Sequence, residues 1–95
     1  MQHSLTAGQA EVLKAFLDHG PMHDAELATF VHHHSPLTMS SSGIRTRRAE
    51  LVRLDPPLLQ AVGVRPMKSG RQSAVHGLTA EGKTTAESLY AAVAA

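Results

Sequence analysis

The chain has no cysteine and no tryptophan, one tyrosine and two phenylalanines in 95 residues. Without cysteine there are no disulfides, thiolate metal sites or cysteine nucleophiles. With aromatics at 3%, the core must be built from Leu, Val, Ile and Ala, which suits short helices packed through small side chains. No apolar run approaches the roughly 20 residues that a bilayer-spanning helix needs, so no membrane association is expected. The opening Met1-Gln2-His3-Ser4 lacks the basic-then-apolar layout of a secretory signal. A chain complete as written, of one small domain (residues 1–95), is the expectation from this length.

Charged residues are present at an ordinary 18%, but their signs are distributed unevenly along the chain. The formal net charge is only +1. Between Ile44 and His76, however, seven Lys and Arg face two acids, Glu50 and Asp55, a balance of +5. The rest sets Lys14 and Lys83 against six acids, a balance of −4. A locally basic segment attracts a polyanion even when net charge is small.

Hydrophobic spacing and punctuation then give the elements. Thr6-Ala7-Gly8-Gln9 fits a capping box, with Leu5 as a staple, and Ala10, Val12, Leu13, Phe16 and Leu17 make one helical face. His19-Gly20-Pro21 ends this helix, giving about residues 6–19. A second helix is predicted over about 23–32, with Asp24 and Glu26 complementing its dipole and Pro36 breaking the chain beyond it. A third runs over about 41–54. Its Ile44, Leu51 and Val52 face inward, while Ser42, Arg45, Thr46, Ala49 and Arg53 project outward, and Arg47 and Arg48 lie near the boundary. A hairpin follows over about 58–78, its strands Leu59–Pro66 and Gln72–Leu78 joined by a tip carrying Lys68 and Arg71. Thr79 caps a last helix over about 80–93, with Ala86, Leu89, Tyr90 and Val93 along one side.

The stretch Ser42-Gly43-Ile44-Arg45-Thr46-Arg47-Arg48-Ala49-Glu50-Leu51-Val52, the hairpin, and Leu78-Thr79-Ala80-Glu81-Gly82-Lys83 resemble winged helix-turn-helix proteins. The resemblance is to MarR-like regulators and to small bacteriophage winged-helix proteins, and covers Leu5 to about Leu89. It implies an α+β, mainly α fold of three helices, a β-hairpin wing and a C-terminal helix. It also implies double-stranded DNA as partner, read in the major groove by the third helix through Ser42, Arg45, Thr46, Ala49 and Arg53. Arg47 and Arg48 flank that set. Lys68 and Arg71 would touch the backbone from the wing. A transcription regulator in the cytoplasm of a prokaryote or phage-infected host is the corresponding expectation. Arg48 stands at a site commonly apolar in these families, so it either meets DNA or pairs with an internal acid such as Glu26. The long helices through which MarR-like proteins dimerise and sense ligands are not in the sequence, so no ligand or cofactor is expected.

Other chemistry finds little support. Seven histidines include the run His32-His33-His34, with His19 and His23 close by. Consecutive histidines point in different directions, and a surface loop explains them better than a metal site. Ser40-Ser41-Ser42 reads as a helix cap without a nucleophile elbow, and no Gly-rich phosphate loop or paired carboxylates appear. No catalytic or metal residues are assigned, and an enzyme is not expected. Two readings stay open: DNA recognition, and a winged-helix module that binds another protein. The stripe Ala86, Leu89, Tyr90, Val93 likewise serves either a homodimer or the chain's own first helix.

Overall fold

The computed structural model describes the backbone of residues 4–94 and the side chains of residues 4–90. Helix α1 spans Ala7–His19. It starts where the Thr6 hydroxyl accepts the Gln9 N–H at 3.2 Å and the Gln9 side-chain oxygen accepts the Thr6 N–H at 3.0 Å. Two backbone donors that no helical carbonyl can reach are thereby satisfied. It stops at Gly20, whose φ of 96° is a backbone state that an L side chain resists. Val12, Leu13 and Phe16 on its inner face are buried.

The next residues hold a feature that the periodicity does not announce. Met22–His23 form a two-residue strand, β1, before α2 begins at Asp24. His23 is both strand residue and helix cap. Its Nδ1 accepts the Glu26 N–H at 3.1 Å, and Glu26 Oε1 accepts the His23 N–H at 3.3 Å. Helix α2 runs over Asp24–His34, so His32, His33 and His34 form its last turn and not a loop. Pro36 restrains only the residue before it, which leaves the helix free to continue to His34.

Helix α3 covers Ser41–Arg53, capped by the Ser40 hydroxyl accepting the Gly43 N–H at 3.0 Å. Ile44 and Leu51 are fully buried beneath it. Strands β2 (Leu59–Pro66) and β3 (Gln72–Leu78) pair antiparallel from Leu59↔Leu78 to Pro66↔Gln72, with a register shift at Val62. β1 joins the other edge of β3 through Met22↔His76 and His23↔Val75, so the sheet order is β1-β3-β2.

Helix α4 spans Ala80–Ala94. The Thr79 hydroxyl accepts the Gly82 N–H at 2.9 Å and donates to the Pro57 carbonyl at 2.6 Å. Gly82 sits so close to the chain entering β2 that a Cβ there would lie 1.9 Å from the Leu58 oxygen. One core joins α1, α2, α3, the sheet and α4, with Leu13, Phe16, Met22, Leu27, Leu51 and Leu58 at its centre. Among the described residues no helix is long and apolar enough to cross a membrane.

Candidate nucleic-acid interface

The outward face of α3 is polar and exposed because its inward positions, Ile44 and Leu51, are spent on the core. Ser42, Arg45, Thr46 and Arg53 are exposed, and Ala49 is half-buried among them. Together they line a shallow open depression along the helix. Arg45 also borders a second depression, shared with Ser41 and with Ala25, Thr29 and His32 of α2. It therefore stands at the rim between the two helices.

The two boundary arginines are occupied. Arg47 donates from Nη2 to Glu50 Oε2 at 3.0 Å, with its Nε 2.8 Å from Oε1. Gln9 of α1 donates to the same Oε1 at 2.9 Å, so this pair ties α3 to α1. Arg48 makes a two-pronged bond to Asp24, from Nε to Oδ1 at 2.9 Å and from Nη2 to Oδ2 at 2.8 Å. Parallel charge-assisted bonds of this kind fix geometry as well as charge. Arg48 is thus a strut between α2 and α3, and its acid is Asp24, not Glu26. Glu26 lies two residues on, about 200° around the helix, and is taken by Arg65 of β2 at 2.8 Å. Burial alone would raise the Glu26 pKa, but the Arg65 hydrogen bond, the His23 N–H and the nearby positive charge together hold it below 4.5.

Behind this strut lies His76 of β3, buried, with Nδ1 lacking a hydrogen-bond partner among the described residues. Burial, then the neighbouring Arg48, pushes its pKa below 6.5, with Asp24 acting the other way.

At the far end of the hairpin, Met67 N–H donates to the Arg71 carbonyl at 2.7 Å and Gly70 N–H to the Met67 carbonyl at 3.0 Å. This closed turn leaves Lys68 and Arg71 exposed at its tip. Among the described residues, no acid pairs with Arg45, Arg53, Lys68 or Arg71. Four free cations therefore lie on α3 and the wing, where the sequence places them. Nothing in the sequence announces the Arg65–Glu26 clasp or the orphaned His76. Arg65 and His76 both lie on strands that the hairpin pattern marks, but nothing local marks what surrounds them.

The stripe on α4 turns inward. Ala86 is 1% exposed within the core, and Leu89 packs against it. Tyr90 donates its hydroxyl proton to Asp18 of α1, and the Lys14 ammonium lies 5.1 Å from its ring centre. Burial, then the Asp18 carboxylate, pushes the Tyr90 pKa up to about 12. Ala86 is thereby closed to a second copy, and Leu89 and Tyr90 are half-covered by their own chain. The Val93 side chain lies outside the described residues.

His19, His23, His33 and His34 border one open depression with Phe30, but they do not close on a common point. His32 Nε2 donates to the Met39 carbonyl at 2.8 Å, and His34 lies over Phe30 at 4.3 Å between ring centres. His19 meets the same Phe30 edge-on at 5.4 Å. Among the described residues no three potential ligands group to hold a metal.

Three helices, a hairpin whose inner strand is backed by a short third strand, and a closing helix define a winged helix. Two solved structures share this fold. One is BpsR of Bordetella bronchiseptica, a protein whose DNA binding is regulated by 6-hydroxynicotinic acid, at a TM-score of 0.67 and 22% identity. That match covers 90% of this chain, which spans only 57% of the BpsR chain. The other is a PadR family transcription regulator from Clostridium difficile, at a TM-score of 0.67 and 17% identity, covering 86% of this chain and 82% of that one. No family model and no curated protein sequence matches the chain.

Proposed function

We propose that this protein is a DNA-binding transcription regulator that sets α3 into the major groove and rests the wing on the sugar–phosphate backbone. One observation carries the reading. The arginines of α3 are sorted, with Arg47 and Arg48 held by internal acids and Arg45 and Arg53 left free on the exposed face. A merely solvated basic helix has no need of such sorting. Ser42 supplies a short hydroxyl on the same face, and Lys68 and Arg71 suit phosphate contact, which positions without specifying. BpsR binds DNA and the Clostridium protein is a transcription regulator, which supports the same role. So does the resemblance of Ser42–Val52 and Leu78–Lys83 to MarR-like and phage winged-helix proteins.

An electrophoretic mobility titration on duplex DNA tests this. Wild type should shift the duplex at low salt, and Arg45→Ala and Arg53→Ala should each weaken the shift while leaving thermal unfolding unchanged. Normal binding by both variants would remove α3 from the interface. The rival reading, a module for a protein partner, draws on Val62 and Val64, which stand 52% and 61% exposed on the outer strand β2. It predicts no shift at any salt concentration.

A further inference from the structure

Arg45 and Arg53, the two free arginines of α3, are eight residues apart, about 12 Å along the helix axis. They cannot meet the same part of a duplex. A recognition helix presents its N-terminal residues to the base edges. A straight helix that enters the groove that way leaves it, at its C-terminal end, beside the backbone. Arg45 lies in the N-terminal half, and Arg53 is the last helical residue.

The neighbours of Arg45 sharpen its task. The Thr46 hydroxyl donates back to the Ser42 carbonyl at 2.9 Å, which commits its proton to the helix and leaves the methyl as the outward group. Ala49, one turn on, brings only a methyl to the same depression. Arg45 is thus a single guanidinium fork flanked by two methyls. In the major groove a fork matches the O6 and N7 acceptors of guanine, and a protein methyl matches the 5-methyl of thymine. Resting on the DNA-binding reading above, we infer that α3 reads a guanine with a neighbouring thymine. Arg45 and the Thr46 and Ala49 methyls determine the specificity, and Arg53 holds a phosphate.

Selection from a random duplex library tests this with wild type, Arg45→Ala, Arg45→Gln and Arg53→Ala, each first shown to unfold at the wild-type temperature. Wild type should enrich a G·C pair beside a T·A pair, favouring the guanine by roughly 5- to 150-fold. Arg45→Ala should lose that guanine, and Arg45→Gln should move the preference toward adenine, which a side-chain amide matches. Arg53→Ala should bind every sequence more weakly and keep the motif. Deoxyuridine in place of the thymine should weaken wild-type binding about fourfold, the worth of one buried methyl. A guanine retained by Arg45→Ala, or a motif altered by Arg53→Ala, overturns the assignment. Wild-type binding without base preference overturns it too, while leaving the DNA-binding reading intact. No binding at low salt removes both.

Discussion

Two arginines three positions apart on one helix carry the same charge and do different work. Arg45 is exposed and free, whereas the Arg48 side chain is 19% exposed and bonded twice to an Asp24 side chain that is 27% exposed. Arg45→Ala should therefore change unfolding free energy by less than about 0.5 kcal/mol. Arg48→Ala leaves a half-buried carboxylate without its partner and should cost about 1–2 kcal/mol. Urea unfolding of both, with Asp24→Ala and the double variant, separates the pair from its members. Additive losses at Asp24 and Arg48 would contradict the strut. His76, behind that strut, predicts a pH dependence. Its folded pKa is lowered, so the fold favours the neutral ring. The stability it contributes is intact above about pH 6.5, the unfolded value, and drains as pH falls below that. Glu26 acts in a lower window, because its folded pKa is also lowered and its contribution is lost only as pH falls below 4.5. The unfolding midpoint of wild type should fall between pH 6.5 and 5, and His76→Gln should flatten that segment. An unchanged pH profile in the variant would acquit His76.

Helices and caps were legible because their signals are local. Thr6 with Gln9, Gly20, Ser40 and Thr79 each act within four residues of the helix end they mark. Strand β1 was not legible. Met22 and His23 become a strand only by meeting His76 and Val75, more than fifty residues away. The ion pairs failed to show for the same reason: the partners of Arg48 and Arg65 depend on how α2 lies against α3 and the sheet. Gly82 is the opposite case, a short-range motif whose cause is distant. Gly82→Ala would push a methyl into the Leu58 oxygen, and should lower stability by roughly 2 kcal/mol or more, the upper part of the overpacking range. A urea midpoint equal to that of wild type would mean that α4 can back away from β2 at no cost. Leu89 tests the other side of α4. Because it packs on the core, Leu89→Asp should destabilise the fold by about 2 kcal/mol. A variant as stable as wild type that turns a sedimenting dimer into a monomer would instead make the stripe an interface between copies.

Across the whole molecule, the balance of +5 between Ile44 and His76 and −4 elsewhere gives α3 and the wing a polarity that net charge conceals. Ion pairing refines it. Arg47, Arg48 and Arg65 are taken up by Glu50, Asp24 and Glu26, so among the described residues Arg45, Arg53, Lys68 and Arg71 are the cations of this segment that reach solvent unpaired. Each cation that neutralises a phosphate releases counterions, and the logarithm of affinity falls with the logarithm of salt by about 0.9 per contact. The most direct measurement of the central claim is therefore the salt dependence of duplex binding, by fluorescence anisotropy, for wild type and for Lys68→Ala with Arg71→Ala. Wild type should give a slope of about −3 to −4, and the double variant should be shallower by about two. A wild-type slope near zero, or one that the wing substitutions leave unchanged, would contradict a DNA interface built from α3 and the wing.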